Sequence, residues 1–584
     1  MLLVCSGVLL VVLGLGAWLA VDGLRARDEL LAGAGLVTTL QDHVVNGDRD
    51  AAATTLAELQ DHAEAAQART HGPHWSIAEA LPWFGDDVRA VQTVAEVVDS
   101  LATDALPGLM DATELVDPAR LAPTDGRVDL APLQAAAPVV VAADATVQDA
   151  LERVTAIDTE GLVSAVGGPV EQLATQVQQV AMTTATAARA VQLLPPMLGA
   201  DGPRDYLLLV QNNAEPRALG GIPGAVILLR ADAGAVELVE LRNASGPLGS
   251  LPEPALPVSN VERFLLGDQL GRYMADVTFT PDFPRAAEMA KAIWEQQIGG
   301  AVSGVVSLDT GALAAVLGST GSVPIPPGAV QDAVGPELTA ENAVEVLNNT
   351  VYRLVEDTVE QDAFYAATGK AVFDAALAGE GSPAATITAL AGAADRGQLT
   401  VWSAREKEQA RLAGTVLSGE LRGVRDGDPV LGLFLNDGTG SKIGYYLRTE
   451  VRVSPGECAV DGTRLIAMDV TFTSTAPPEV VDMPPYISGG RVLEPGRMRF
   501  NALAYAPSDG YIEDAVASDG TTGGASHVHD GLSVLARTIE LAPGESMGMK
   551  YRFRTGPSQN GRPVVRMTPL IDQQVNVDDG WRCS

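Results

Sequence analysis

Residues 202–225 read GPRDYLLLVQNNAEPRALGGIPGA. The apolar run Tyr206–Gln211 is typical of a buried strand that ends at Gln211, and the pair Gly220-Gly221 provides a flexible turn. Two more short runs rich in Leu and Val, Ala225–Arg230 and Val236–Leu241, follow along the chain. This stretch therefore predicts the first strands of a β-sheet.

Helical patterns alternate with strands beyond this sheet. Helices are predicted at about Pro284–Gln297, Thr310–Leu317, Thr339–Leu354 and Asp362–Leu377, and a buried strand is predicted at Gly304–Asp309. Strands interleaved with helices are typical of a sheet with helices on its faces. We therefore expect a mixed α/β core over residues 196–426.

The helical pattern ends near residue 427. Strand-like runs punctuated by PG, DG and PP turns then follow at Tyr445–Val453, Thr463–Thr473, Arg499–Ala504, Ser533–Leu541 and Met547–Arg554. Several short strands at regular spacing are typical of a sandwich. We therefore expect a β-sandwich over residues 427–584.

Residues 24–195 carry helical spacing and few aromatic residues. The longest stripe, with steps of three and four, is Val170, Leu173, Val177, Val180, Thr184, Ala187, Val191 and Leu194. The aromatic residues of this region, Trp75, Trp83 and Phe84, lie close together at a break between helices. Ala-rich amphipathic helices predict an antiparallel bundle, which is either a stalk or a plain helical domain.

The chain begins with an apolar run. Leu2–Val21 contains no charged residue and has about the length that a helix needs to cross a bilayer. We expect a transmembrane anchor over residues 1–23, with a cleaved signal peptide as its rival. Arg25 and Arg27 follow the run, and by the positive-inside rule they would place the bulk of the chain in the cytoplasm. We nevertheless expect a single-pass protein with its bulk outside the cytoplasm, because a methionine directly on an apolar run suggests a start further upstream with basic residues of its own. The membrane is then its first partner. The predicted fold class is multidomain α+β, with a transmembrane helix, a helical bundle stalk, a mixed α/β core and a C-terminal β-sandwich.

Charge and cysteine content narrow the function classes. The 74 acidic residues exceed the 39 basic ones and leave a formal charge of −35. Binding to nucleic acid requires a basic face, so nucleic acid is excluded as a partner. Cys458 and Cys583 lie in polar, turn-like sequence, and such a pair in an exported region most often forms a disulfide. Two independent thiols are the alternative.

The polar residues of the stretch 202–225 are the first candidate site. Three amides, Gln211, Asn212 and Asn213, follow the apolar run, and Glu215 and Arg217 come next. Amides can hydrogen-bond sugar hydroxyls, and an arginine can hold an anion through two parallel hydrogen bonds. The alternative is a structural cluster of polar side chains that hydrogen-bond backbone groups where the strand becomes a loop.

These residues also carry a family resemblance. The matching pieces are DGPRDYLLLVQNNAEPRALGGIPGA from Asp201, TPDFP from Thr280, VVSLD from Val305, GSVPIP from Gly321, VWSAREKEQ from Val401, NDGTGSKIGYYLR from Asn436 and PPYISGG from Pro484. They resemble the domain of unknown function 4012 family of bacterial, mainly actinobacterial, envelope proteins. The resemblance implies a membrane-anchored extracytoplasmic protein and supplies no activity.

A fainter similarity connects Val305–Pro326 to the LytR-CpsA-Psr glycopolymer transferases. Those enzymes move a polyprenyl-pyrophosphate-linked glycan to the cell wall with Arg and Asp residues and a divalent metal. By role, Arg204, Arg217 and Asp282 are the residues that such chemistry would use here. Mg²⁺ enters only under this transferase alternative, and otherwise we expect no cofactor.

Other chemistry finds little support in the sequence. His527 and His529, within HVHD, have the spacing of a metal pair on one face of a strand, and a solvated loop is the alternative. Asn436–Lys442 (NDGTGSK) reads as a tight turn that carries Lys442. We therefore expect a non-enzymatic or accessory role in cell-envelope or surface-polysaccharide biology, through binding of a glycan or lipid-linked glycan. The alternatives are a transferase and an interaction protein without a ligand pocket.

Overall fold

A computed structural model of the chain describes residues 2–45, 48–115, 123–124, 126–244, 248, 250–378 and 381–581. The chain forms two compact units. Unit 1 comprises Met1–Arg120 and Asp129–Pro196, and unit 2 comprises Leu121–Val128 and Met197–Ser584. Every named helix up to residue 197 starts in unit 1, and the β-sheets belong to unit 2.

Unit 1 is helical, as its spacing predicts. Its helices are α1 (Leu2–Val45), α2 (Arg49–Thr70), α3 (Pro73–Glu79), α4 (Gly85–Ser100), α5 (Leu106–Leu115), α6 (Ala131–Thr155) and α7 (Ser164–Met197), and a π-helical turn, Leu101–Ala105, joins α4 to α5. Small side chains dominate the contacts, because Ala63, Ala95 and Ala150 are among the most buried residues. This composition lets the helix backbones approach one another closely.

The structure confirms the predicted helix α7, but only some residues of its predicted apolar stripe are buried. Val170, Val177 and Val191 are buried, whereas Val180 and Leu194 are 44% and 40% exposed. The predicted stripe repeats every 3.5 residues on average, and an α-helix turns every 3.6 residues. The buried face therefore moves slowly around α7.

The predicted transmembrane helix over residues 1–23 is wrong. Among the described residues, no helix combines the length and the apolar composition that crossing a bilayer requires. The apolar run is the first part of α1, which continues past Asp22 and Arg25 without a break. Further along the same helix, Ala26 and Leu40 are buried among protein atoms.

The first part of unit 2 holds a mixed five-stranded sheet in the order β3-β2-β1-β4-β7. Its elements are β1 (Arg204–Arg217), β2 (Gly220–Asp232), β3 (Ala235–Asn243), α8 (Asn260–Leu266), α9 (Phe283–Gln297), β4 (Gly304–Asp309), α10 (Thr310–Thr320), β5 (Val323–Pro324), α11 (Ala329–Val334), β6 (Glu337–Leu338), α12 (Ala343–Glu345), α13 (Val351–Leu354), α14 (Thr358–Leu377), α15 (Pro383–Asp395), β7 (Leu399–Ser403), α16 (Glu406–Leu412) and β8 (Val424–Arg425). Among the described strands of this five-stranded sheet, β1 and β4 pair in parallel and the other neighbours are antiparallel. The predicted strand Gly304–Asp309 agrees with β4 in full.

One local prediction in this sheet region is wrong, and another is confirmed as a helix with an irregular middle. The first strand does not end at Gln211, because β1 continues to Arg217 and stays paired with β2 through two irregularities in register. The predicted helix Thr339–Leu354 is interrupted by a π-helical turn, Val346–Thr350, between α12 and α13. In this turn the carbonyl of Leu347 accepts a hydrogen bond from Tyr365 Oη at 2.5 Å.

The second part of unit 2 is a two-sheet sandwich, in agreement with the strand-like pattern after residue 427. Its elements are β9 (Asp428–Asp437), β10 (Leu447–Cys458), β11 (Arg464–Ser474), α17 (Pro485–Ser488), β12 (Met498–Tyr505), β13 (Tyr511–Ala517), β14 (Ala525–His529), β15 (Leu532–Leu541), β16 (Ser546–Arg554), β17 (Val564–Met567) and β18 (Asp572–Val577). One sheet has the order β13-β16-β11-β10-β18 and the other β14-β15-β12-β9-β17. Their inner faces meet at Leu433, Phe472 and Phe553.

The sheet that contains β9 is buried on both faces. Alternate residues of β9 and β12 point away from the sandwich interior, and Phe434 and Tyr505 pack in one cluster with Leu207 and Trp294 of the α/β part. The predicted boundary between residues 426 and 427 therefore lies inside a single compact unit.

At the start of β2, the backbone of β1 leaves no space for a side chain on Gly221. A Cβ atom there would lie 2.1 Å from the carbonyl oxygen of Asn212, so we expect Gly221→Ala to lower the free energy of unfolding by about 3 kcal/mol. Gly224→Ala, on the same strand, is the matched control, because the nearest atom to its Cβ would be 4.0 Å away. Urea denaturation measures both, and equal stability of the two variants would contradict the packing at this turn.

Candidate functional site

The candidate residues of the stretch 202–225 lie along β1. The first of them, Arg204, is far from the others. Arg204, at the start of β1, is 2% exposed and donates from Nη1 to both carboxylate oxygens of Glu408, at 2.8 and 3.0 Å. Ser403 Oγ donates to the same carboxylate at 2.7 Å. Arg204 therefore ties β1 to α16 and has no surface to offer to a ligand.

The first two amides are buried and bonded within the protein. Gln211 donates to Ser307 Oγ at 2.6 Å and accepts from the Gly221 amide at 2.7 Å. Asn212 donates to Tyr352 Oη at 2.9 Å. Both side chains also line a groove. At these two positions the structural interpretation, as hydrogen-bonding side chains, and the ligand-contact interpretation are therefore compatible.

Asn213 belongs to a different environment. It donates to Asp309 Oδ2 at 2.8 Å and to the Pro569 carbonyl at 2.9 Å, and it accepts from Thr310 Oγ1 at 3.0 Å. Asp309 also accepts from the Ala312 amide and thereby caps α10. Burial raises the pKa of Asp309 to about 6, against the lowering effect of these hydrogen bonds. Asn213 is therefore a structural link between β1, α10 and the sandwich.

Glu215 and Arg217 form the centre of a buried charged cluster. Glu215 accepts from Arg217 Nη2 at 2.8 Å and from Lys442 Nζ at 2.6 Å. Arg217 also lies 3.7 Å from Asp276 and 3.9 Å from Asp437, and its guanidinium is 4.3 Å from the ring centroid of Phe279. Three carboxylates therefore share two cations away from solvent.

The protonation of these carboxylates follows from their surroundings. Burial alone would raise the pKa of Glu215, but the charges of Lys442 and Arg217 outweigh it and hold this pKa below its usual value. Burial raises the pKa of Asp276 to about 6 and that of Asp437 to about 6, because Arg217 compensates them only in part. The cluster is thus built around Glu215, and the two aspartates titrate near pH 6.

Asp282 lies outside this cluster. Its carboxylate caps α9 by accepting from the Arg285 amide at 3.1 Å, and it accepts from the Leu421 amide at 2.8 Å. Burial raises its pKa to about 6. The structure therefore does not bring together Arg204, Arg217 and Asp282, the residues that transferase chemistry would use.

Unit 2 contains an open groove of about 1040 Å³. One wall is the strand face with Ile222, Ile227 and Leu241, and the opposite wall is α14, which presents Ala363, Ala366, Gly369 and their neighbours. Most of this lining is apolar. Small residues at every third position of α14 leave open space in front of this helix.

Tyrosines and two cations line another part of the groove. Tyr352, Tyr365 and Tyr486 are partly buried there, and the rings of Tyr365 and Tyr486 lie 5.9 and 6.5 Å from the ring of Tyr352. Lys442 is bound to Glu215, whereas the exposed Arg491 has no hydrogen bond or ion pair to any described residue.

Sequence reasoning missed the tyrosines and Arg491. The tyrosines come from α13, α14 and α17, and no local pattern connects these segments. The spacing of Ala363, Ala366 and Gly369 on the predicted helix Asp362–Leu377 was the available signal, since three small residues on one helical face indicate a close approach or an open space.

Other chemical candidates have structural explanations or remain open. His527 and His529 lie on strand β14, so the solvated-loop interpretation is wrong; His529 is buried with its Nδ1 2.8 Å from Tyr505 Oη. The described residues contain no group of three or more His, Cys, Asp or Glu that is arranged to hold a metal. Cys583 lies outside the described residues, so the disulfide with Cys458 remains a prediction.

The fold thus combines a mixed α/β sheet, a sandwich that shares its core, and a groove between strands and α14. Residues 201–352 match the family described as protein of unknown function (DUF4012), so the chain carries this domain and the family resemblance seen in its sequence is confirmed. No curated protein matches the chain.

The buried aspartates predict the pH dependence of stability. The unfolded pKa of Asp276 is about 4, so between about pH 4 and 6 the folded chain holds a proton that the unfolded chain has lost. The free energy of unfolding therefore falls as pH rises through this window, by about 3 kcal/mol for a shift of roughly two units. We expect Asp276→Asn to remove this part of the slope in urea denaturation between pH 4 and 6.

The exposed Asp268 provides the matched control for this experiment, because its side chain is 82% exposed. Asp268→Asn should keep the wild-type pH slope. A slope that is identical in wild type and Asp276→Asn would contradict the raised pKa of Asp276.

Proposed function

We propose that the chain is a non-enzymatic binding protein for a lipid-linked glycan, with a role in cell-envelope or surface-polysaccharide biology outside the cytoplasm. The observation that carries the proposal is the groove between the β1–β2 strands and α14. Its volume of about 1040 Å³ is at the upper end of ordinary ligand pockets. The ligand that fits this lining has an apolar chain and a polar head.

The chain of the ligand is assigned to the two apolar walls. Ile222, Ile227 and Leu241 provide branched side chains on the strand side, and Ala366 and Gly369 leave space on the helix side. Removing a hydrocarbon chain from water contributes roughly 0.8 kcal/mol per buried CH₂ group. A slot of this kind favours a linear apolar chain over a compact polar molecule.

The head of the ligand is assigned to the tyrosine side of the groove. Aromatic rings with hydroxyl groups offer a flat apolar face and a polar edge, which suit the two kinds of surface of a sugar ring. Gln211 and Asn212 reach the same groove, although each is already bonded within the protein. Arg491 supplies a cation without a competing partner among the described residues, and therefore favours an anionic group next to the sugar.

No observation favours the transferase alternative. Arg204 is neutralised by Glu408, Arg217 by Glu215, and Asp282 caps a helix, so none of the three lines the groove. An interaction protein without a pocket is disfavoured by the groove itself. Binding without catalysis is the function that this geometry supports best.

Filling the groove tests the chain-binding part of the proposal. A Cβ atom on Gly369 would meet open space, so we expect Gly369→Trp to fold normally and to weaken binding of decyl maltoside, below its micellar concentration, by at least about tenfold in isothermal titration calorimetry. Ala367→Trp is the matched control, because Ala367 is an exposed residue of α14 that does not line the groove. Equal binding by Gly369→Trp and wild type would refute the assignment.

Removing the cation tests the head-group part. We expect Arg491→Ala to weaken binding of decyl phosphate about tenfold and to leave decyl maltoside unchanged, because only the first ligand carries a charge that Arg491 can pair. Arg353→Ala, an exposed arginine outside the groove, is the control. A loss of equal size for both ligands would show that Arg491 contributes packing rather than charge.

A further inference from the structure

Unit 2 contains a second cavity, of about 420 Å³, which shares no lining residue with the groove. One side of it is the end of α8 and the turn that follows, residues 264–269. The other side is formed by Phe279, the end of β9 and Asn501 of β12. We call it the α8 cavity. Its volume is at the lower end of ordinary ligand pockets and suits a molecule of monosaccharide size.

An exposed aromatic ring lines the α8 cavity. Phe264 is 60% exposed, whereas its neighbours Leu265 and Leu266 are buried in the core. The ring of Phe264 lies against the ring of His527, with 4.3 Å between the two ring centroids, and this contact supports it from the sandwich side. Such a ring offers a flat apolar face to a ligand, and this face also attracts a cation.

Two amide side chains of the cavity have hydrogen-bonding capacity to spare. Asn501 accepts from Thr538 Oγ1 at 2.7 Å, but its Nδ2 donates to no described residue, and the side-chain amide of Gln269 bonds to no described residue either. Asn436, by contrast, is bonded within the protein at both ends of its amide. Asn501 and Gln269 can therefore bond hydroxyl groups of a ligand.

The carboxylate of Asp437 connects the α8 cavity to the buried charged cluster. Its side chain is 4% exposed and lines the cavity. Oδ2 accepts from the amides of Thr439 and Gly440 at 3.0 and 2.6 Å, and Oδ1 accepts from Thr439 Oγ1. The nearest cation is Arg217, at 3.9 Å. Oδ1 therefore keeps one acceptor position for a further donor.

The charged cluster has more acids than bases. Glu215, Asp276 and Asp437 share Arg217 and Lys442, so the cluster carries one negative charge in excess when all five groups are ionised. Lys442 is held by Glu215, and Arg217 bonds Glu215 more closely than it approaches Asp437. Asp437 is therefore the least compensated of the groups that line the cavity, and a cation placed next to it is stabilised.

The rim of the cavity does not cancel this charge. Asp268 lines the rim with a side chain that is 82% exposed, and its carboxylate lies 3.8 Å from Nη1 of Arg263. One carboxylate and one guanidinium add no net charge. The excess negative charge at Asp437 is thus also the excess charge of the cavity as a whole.

We propose that the α8 cavity binds an amino sugar, a monosaccharide that carries an ammonium group. The apolar face of the sugar ring is assigned to Phe264, its hydroxyl groups to Asn501 and Gln269, and its ammonium group to Asp437. A neutral sugar would leave the excess charge uncompensated, and a bare ammonium ion would leave most of the volume and both amides to water. This site is distinct from the groove and does not depend on the function proposed for it.

A pair of sugars that differ in charge tests the proposal with the full chain. In saturation-transfer NMR at pH 7 we expect glucosamine to bind at least about tenfold more tightly than N-acetylglucosamine, because acetylation removes the positive charge. Phe264→Ala should weaken glucosamine binding at least about fivefold, since the face for the sugar ring is lost. Tyr511→Ala is the matched control, because Tyr511 is a 52% exposed aromatic residue of unit 2 outside the cavity.

Removing the charge of Asp437 tests the assignment of the ammonium group. We expect Asp437→Asn to bring the affinity for glucosamine down to that for N-acetylglucosamine. The variant retains the size of the side chain, and its new amide can donate to Thr439 Oγ1, so the turn keeps its hydrogen bonds. Asp572→Asn, at an exposed aspartate of β18 outside the cavity, is the control. If Asp437→Asn does not fold by circular dichroism, Phe264→Ala and the two sugars still decide the result.

Three outcomes would overturn the proposal. Wild-type protein that does not bind glucosamine excludes the site. Equal affinity for glucosamine and N-acetylglucosamine shows that no charge is recognised. Equal affinity for glucosamine and cyclohexylamine shows that the hydroxyl groups are not recognised. Gly369→Trp should bind glucosamine like wild type, and Phe264→Ala should bind decyl phosphate like wild type, so failure of either proposal leaves the other standing.

Discussion

The side chain of Glu215 accepts hydrogen bonds from two cations at once, and the organisation of unit 2 depends on this arrangement. A buried carboxylate is tolerated only when its charge is paired, and the loss of one partner leaves an uncompensated charge. Arg217 comes from the same strand, whereas Lys442 comes from the segment after β9, on the sandwich side. The α/β part and the sandwich must therefore be assembled together. The apolar cluster that Phe434 and Tyr505 share with Leu207 has the same consequence.

This pairing also decides which residues face a ligand. The charged and amide residues of β1 are so fully bonded within the protein that Asn213, Glu215 and Arg217 have a structural role. What remains accessible is a groove with one strand wall, one helical wall of small residues, and three tyrosines from separate elements. The exposed Arg491 completes the groove. The polar residues of β1 thus stabilise the packing of unit 2. The tyrosines and Arg491, which no local sequence pattern marks, form the surface that we assign to binding.

The sequence predicted local elements well where one periodicity persisted over a whole element. The strand Gly304–Asp309, predicted from a short apolar run, and the long helix α7, predicted from steps of three and four, are examples. It failed where local composition suggested the end of an element that the folded chain continues. Polar residues after Gln211 suggested a loop, but pairing with β2 keeps β1 extended to Arg217. The apolar run Leu2–Val21 suggested a separate spanning helix, whereas α1 continues through charged residues to Val45.

The amino-acid sequence by itself determined the helical class of residues 24–195, the strand-rich class of the C-terminal part and the family of residues 201–352, because composition, periodicity and motif spacing are local properties. Only the tertiary structure decided that Lys442 pairs with Glu215, that Asp282 caps a helix, and that Tyr352, Tyr365 and Tyr486 surround one groove. These residues are far apart along the chain, and their contacts depend on how sheets and helices pack. Packing brings them together through burial of apolar surface, which has no fixed period in the sequence.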